Sequence, residues 1–119
     1  MHRAQWFEGK NKGQPERYYH WPFESHEDQD FIEACIPSRL VDAVPTSLER
    51  AERYKKVIGA QGSMGPSWGA LTRRRNPGRI YLADGNHRAY AEIEMGWPCV
   101  PVMLPLRDYL EWQEKYADA

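Results

Sequence analysis

The sequence predicts a small α+β domain, a short mixed sheet packed with about three helices, and three observations predict it. Short β-rich runs alternate with helix-periodic segments from about residue 34 onward. Turn chemistry, Asn76-Pro77-Gly78 and Asp84-Gly85, separates them. The length of 119 residues, with 41% hydrophobic and 28% charged residues, suits one two-layer core and no second domain.

Residues 1–30 form an aromatic-rich extension ahead of a domain spanning 31–119. Trp6, Phe7, Tyr18, Tyr19, Trp21 and Phe23 lie among Gly, Pro, Lys and Glu without a clean period. Such aromatics pin an edge strand or irregular arm onto the domain, or offer bases or a partner a stacking platform. The run "ESHEDQDFIEAC" is acidic and reads as a solvated face or turn. In "ACIPSRLVDAVP", Pro37 and Pro45 forbid a long helix, so Ile36, Leu40 and Val41 belong to a short extended segment. A helix over 47–58 follows. Thr46 with Glu49 reads as a capping box, Leu48, Ala51, Tyr54 or Lys55, and Ile58 recur at helical spacing, and Gly59 is the expected stop. "QGSMGPSWG" reads as a flexible loop without the Gly-Lys-Ser/Thr of a Walker motif. "ALTRRRNPGRIYLADG" predicts a hairpin of two short strands.

The next helix starts near Asn86 and stops at Gly96, with Ala89, Ile93 and Tyr90 inward. "CVPVML" is a short buried strand in which Pro101 implies a sheet edge or an irregular ladder. The terminal helix, "LRDYLEWQEKYADA", places Leu106, Leu110, Tyr109 and Gln113 on one face.

Charge and cysteines narrow the function classes. Sixteen basic and 17 acidic residues give a formal net charge of −1, so any anion site must be local. Cys35 and Cys99 are far apart in sequence and neither belongs to a Cys-x-x-Cys pair, which leaves a reducing, cytoplasmic compartment as the default. The N-terminus lacks the apolar core of a signal peptide, and no run approaches the roughly 18 apolar residues of a membrane span.

The chemistry concentrates in "YLADGNHR". A strand, Asp-Gly, then a helix start aims unsatisfied N–H donors and the positive end of a helix dipole past the strand, which suits an anion. Gly85 permits a tight turn and close approach of a ligand. Arg88 adds a fixed-charge fork for phosphate oxygens, and His87 a donor of variable charge. The bland alternative has Asp84 capping the helix, with His87 and Arg88 on the surface beside Glu92.

"YLADGNHRAYAEIEMGWPCVPVML" resembles the core of the ParB/sulfiredoxin-like superfamily, in which a strand leads into a Gly-x-His-Arg or Asp-Gly-His-His-Arg motif, an Ala-rich helix, a Gly stop and a "VPV" strand. Upstream, "IPSRL" resembles the Pro-containing strand of such domains. The resemblance covers about residues 34–104. It implies binding of nucleotide phosphates, of ATP or CTP, at Gly85, Asn86, His87 and Arg88, with Mg2+ at Asp84. If the ligand is turned over by phosphoryl transfer or by nucleotide or phosphodiester hydrolysis, Asp84 and His87 are the catalytic candidates. Sulfiredoxins place a catalytic cysteine where this chain has Asn86, so their reductase chemistry is not expected. Partition proteins add a helix-turn-helix domain that this length leaves no room for.

Weaker signals remain. Arg73, Arg74, Arg75 and Arg79 surround a turn and could contact nucleic-acid phosphates, although solvated hairpins look the same. Glu49 and Glu52 are candidate carboxylates for a general base or a magnesium contact. His20 and His26 lack a placed carboxylate to complete a metal site. A non-catalytic interaction module is the reading of a different class.

Overall fold

The computed structural model describes residues 4–7 and 31–117. The acidic run through residue 30, His20, His26 and the aromatics from Tyr18 to Phe23 lie outside the described residues.

Six strands form one mixed sheet: β1 (Ala4–Phe7), β2 (Phe31–Pro37), β3 (Val41–Asp42), β4 (Ser67–Leu71), β5 (Ile80–Asp84) and β6 (Cys99–Pro105), in the order β1-β2-β6-β4-β5-β3. The pairs β1·β2, β2·β6 and β4·β5 are antiparallel, while β6·β4 and β5·β3 are parallel. Among the described residues, three α-helices pack with the sheet: α1 (Leu48–Gln61), α2 (Asn86–Glu94) and α3 (Leu106–Lys115). The expected α+β layout is the observed one.

The core follows the period of two along the central strands. Ile32, Ala34 and Ile36 of β2 and Val100, Val102 and Leu104 of β6 pack with Leu71, Ile80, Leu82, Ala89, Tyr109 and Trp112. β4 is buried at all five positions, so the sheet is covered on both faces there.

Several expectations are corrected by long-range packing. β4 begins at Ser67, inside the stretch read as a flexible loop, because Trp68 is drawn into the interior against Phe31, ring centroids 5.3 Å apart. Pro101 stands in an interior strand, not at an edge. The β4 ladder covers only Val102 and Met103, so Pro101 has no ladder bond to forfeit on that side. α1 runs past Gly59 and ends at Gly62, whose φ of 87° terminates the helix, and its N-cap is Ser47, not Thr46: Ser47 Oγ accepts from Arg50 N–H at 3.2 Å. On α2 the inward residues are Ala89, Ala91 and Glu92, with Ile93 only partly buried against the core. α3 turns Asp108, Tyr109 and Trp112 inward and leaves Leu110 53% exposed, since the two aromatic rings bury more surface than Leu110 would.

The cysteines, far apart in sequence, are brought together by the sheet. Cys35 and Cys99 form a disulfide between β2 and β6. The antiparallel register puts Cys35 opposite Pro101 and Cys99 opposite Pro37, so residues 64 apart in sequence become cross-strand neighbours. A disulfide argues against the reducing compartment that sequence spacing suggested. No helix among the described residues is long and apolar enough to cross a membrane.

Candidate functional site

The β5–α2 turn has the predicted strand–turn–helix form. Gly85 is the N-cap of α2 in the left-handed region, φ 87° and ψ 18°, where a side chain would be strained. The space beside it is filled by Ser67: a Cβ on Gly85 would lie 2.7 Å from Ser67 Cβ and 2.9 Å from Ser67 Cα. Ser67 Oγ donates to the Gly85 carbonyl at 3.0 Å. The glycine thus lets the turn lie flat on β4. Asp84 Oδ1 accepts from Gly85 N–H at 2.7 Å, and helical hydrogen bonding begins with Ala89 N–H to the Gly85 carbonyl at 2.9 Å. First-turn N–H groups precede that bond and have no intrahelical acceptor.

Asn86 and His87 face the segment leading into α1. Asn86 Oδ1 accepts from Val44 N–H at 2.9 Å, and Asn86 Nδ2 donates to the Leu82 carbonyl at 3.3 Å. His87 Nε2 accepts from Ser47 N–H at 3.1 Å and lies 3.3 Å from Thr46 Oγ1. That acceptor role puts the proton of the neutral ring on Nδ1. The His87 ring also stacks on Tyr54 of α1, centroids 6.5 Å apart. Two helix N-termini are therefore fastened together by the side chains of the motif.

Arg88 turns to the other side. Its Nη1 donates to the Pro66 carbonyl at 2.8 Å, and its Nε is buried with no hydrogen-bond partner. No carboxylate pairs with it among the described residues. One helical turn on, Glu92 is fully buried, and neither carboxyl oxygen has a partner among the described residues. Burial pushes its carboxyl up from the ordinary 4.5 to about 7, with the Arg88 charge acting in the opposite direction. Glu92 is thus not the exposed partner of His87 and Arg88 that a surface reading of α2 would make it.

A groove of about 300 Å³ opens beside this turn, lined by Arg50, Arg53, Tyr54 and Val57 of α1 and by Met64. It adjoins the motif at two points: Tyr54 touches His87, and Gly65, next to Met64, lies beside Arg88 Nη1. Residues at i, i+3, i+4 and i+7 share one helix face, so a single face of α1 supplies the four α1 residues of this groove.

The basic hairpin splits into two kinds of residue. Arg73 donates from Nη2 to Asp108 Oδ1 at 2.6 Å and from Nε to Glu111 Oε1 at 3.2 Å, and Arg79 Nε donates to Asp42 Oδ1 at 2.6 Å. Arg74 and Arg75 are exposed. Glu49 and Glu52 are exposed on α1, with Glu52 paired to Lys55 at 2.9 Å. Among the described residues no group of three or more His, Cys, Asp or Glu is placed to hold a metal ion. Sequence reasoning missed Glu92, the Pro66 carbonyl and the α1 groove. The only signal for Glu92 was an acidic residue flanked by Ala89 and Ala91 on an inward face.

No protein-family model and no curated protein matches the chain. Similar solved structures include C-terminally truncated SbnI from Staphylococcus aureus, with a TM-score of 0.54 and 24% identity over 60% of this chain and 30% of that one. Another is the C-terminally truncated chromosome-partitioning protein ParB from Caulobacter crescentus, complexed with CTP-gamma-S, with a TM-score of 0.51 and 20% identity over 62% of this chain and 43% of that one. The chain spans less than half the length of either structure. These likenesses show that the chain shares a fold with parts of the SbnI and ParB structures.

Proposed function

We propose that the chain binds a nucleoside triphosphate, CTP or ATP, with the phosphates at the N-terminus of α2 and the nucleoside in the α1 groove. The observation that carries this reading is Arg88: a guanidinium in the first turn of a helix, which among the described residues has its Nε buried without a partner and is held by one carbonyl and by no carboxylate. A charge so placed opposes the helix dipole, and a phosphate would satisfy both the guanidinium and the first-turn amides. Arg50 and Arg53 extend the positive surface along α1, and Tyr54, Val57 and Met64 offer a base an apolar wall. The CTP-gamma-S complex of the ParB structure supports the ligand class, and the choice between CTP and ATP is left to experiment.

Asn86 and His87 hold the start of α1 against this site, and His87 presents Nδ1–H as a donor. Magnesium would come with the nucleotide: one carboxylate, Asp84, plus phosphate oxygens is a customary environment for that ion. Turnover, if it occurs, assigns Asp84 to the metal and His87 to proton donation. Calorimetric titration with CTP, ATP and GTP, each with and without magnesium, tests the reading. Saturable binding of one nucleotide, weakened by Arg88→Ala, is expected, and no heat with any of them would refute it. Radiolabelled phosphate release then tests turnover.

A second reading is favoured by the exposure of Arg74 and Arg75 at the hairpin tip, which suits nucleic-acid phosphates. It predicts salt-dependent DNA binding that Arg74→Ala weakens and Arg88→Ala leaves unchanged.

A further inference from the structure

Two groups in the α2 region are buried and lack partners, and they lie one helical turn apart. Among the described residues, Arg88 Nε and both oxygens of Glu92 have no hydrogen-bond partner. Positions i and i+4 are neighbours on a helix surface, with Cβ atoms about 5–6 Å apart. An orphaned carboxyl and an orphaned guanidinium N–H at that spacing are complementary, yet the guanidinium is held away by the Pro66 carbonyl.

The surroundings offer Glu92 no competing charge among the described residues. α2 packs on α1, β4 and β6. β4 carries no titratable side chain, and the one titratable type on β6, Cys99, is locked in the disulfide. From α1, Lys55 is engaged by Glu52 and Glu94, and Tyr54 stacks on His87. Arg88 is the charge that acts on Glu92.

We propose that Glu92 is the positioning residue of the Arg88 anion site: neutral, it leaves the guanidinium to the ligand, and ionised, it draws the guanidinium along the helix, so that anion binding is coupled to proton uptake. The proposal rests on the ligand reading of Arg88 given above. Its physical basis is competition for one cation. An ionised buried carboxylate next to an unpaired guanidinium N–H gains by pairing with it, and an anion at the helix N-terminus must then displace that pair. Burial that raises the Glu92 carboxyl to about 7 puts the crossover near neutral pH, so the carboxyl is largely protonated at pH 6 and largely ionised at pH 8. Linkage fixes the sign: affinity for the anion falls as pH rises, and the bound anion raises the Glu92 pKa in return.

Sulfate is the probe, because it stays a dianion from pH 6 to 8 while nucleotide phosphates titrate in that range. Amide chemical shifts of residues 85–88 are followed by NMR during sodium sulfate titration of the whole chain at constant ionic strength. The wild type is expected to bind at least about fivefold more weakly at pH 8 than at pH 6, the lower end of ordinary coupling. Glu92→Gln is expected to bind equally at both. A Glu92→Gln chain that keeps the wild-type pH dependence overturns the assignment and leaves the anion site intact. If residues 85–88 do not respond to sulfate at either pH, the site reading fails and the inference with it. Should Glu92→Gln not fold, the Glu92 carboxyl carbon is titrated in the wild type with and without sulfate. A midpoint in the usual carboxylate range, or one that sulfate does not raise, overturns the proposal.

Discussion

Replacing Glu92 by Leu should make the fold more stable, and more so in alkaline than in acidic solution. The carboxyl is fully buried with no hydrogen-bond partner among the described residues, and burial raises it from 4.5 to about 7. A folded-state pKa above the unfolded one means stability that is complete below pH 4.5 and lost as pH rises through 7. Integrating between pH 5 and pH 8 gives a loss of about 2.5 kcal/mol, at about 1.4 kcal/mol per pH unit where the two states differ by a whole proton. Leu at position 92 has no charge to bury. The stability difference between the variant and the wild type should therefore grow by about 2.5 kcal/mol over that interval, which cancels the contributions of all other titrating groups. Urea denaturation of both proteins at pH 5 and pH 8 measures it. Adding Arg88→Ala should move the Glu92 midpoint further up, since the Arg88 charge lowers it. A difference that is the same at both pH values would show that Glu92 reaches water or a partner in solution, and would remove the physical basis for an acid beside Arg88.

Other outcomes follow from the same structure. Arg88→Ala should weaken nucleotide binding by roughly ten- to a hundredfold, from the loss of a charge-assisted phosphate contact of about 1.5–3 kcal/mol, and should cost the fold about 1 kcal/mol through the Pro66 carbonyl, as read by calorimetry and thermal melting. Gly85→Ala should destabilise by about 2 kcal/mol or more in urea denaturation, because a Cβ there meets Ser67 and the backbone is left-handed. Reducing Cys35–Cys99 should lower stability by about 4 kcal/mol, the entropy of a loop of this length, measured in urea with and without dithiothreitol. Asp108→Ala should cost about 3 kcal/mol in the same assay, since it strands Leu71 N–H, which donates at 3.1 Å, and removes the partner of Arg73.

The β5–Gly85–α2 turn was legible in the sequence because its determinants are local: a short apolar run, a glycine where φ must be positive, and a helical period after it. The body of α1 was legible for the same reason. Its ends were not. Whether Ser47 or Thr46 caps α1 depends on His87, 40 residues away, which takes the Ser47 N–H. The interior position of β6 depends on β2 and β4 pairing on its two sides, which no local pattern around Pro101 encodes. The same β2·β6 register creates the disulfide. Glu92 was misjudged because composition places Glu on surfaces, and only the packing of α2 on α1, β4 and β6 shows that this one is enclosed.

A chain with net charge −1 can still attract an anion if its field is concentrated, and two helix N-termini brought together would concentrate it. Val44 N–H meets the Asn86 side chain and Ser47 N–H meets the His87 ring, so the N-termini of α1 and α2 converge within one side chain's length. Each N-terminus carries roughly half a positive charge. Stability alone would put an acid in the first turn of α2 and leave its interior positions apolar. The sequence instead puts Arg88 in that first turn and encloses Glu92 one turn later. Either choice costs stability by itself, and local choices that work against the fold concentrate where a ligand has to be bound. On the proposed reading the two residues form one device: Arg88 lowers the cost of ionising Glu92, and an ionised Glu92 would offer Arg88 Nε an acceptor that it lacks in this structure. A domain that only scaffolded its neighbours would gain from exchanging both for alanine, whereas one that binds a phosphate would lose its ligand by that exchange.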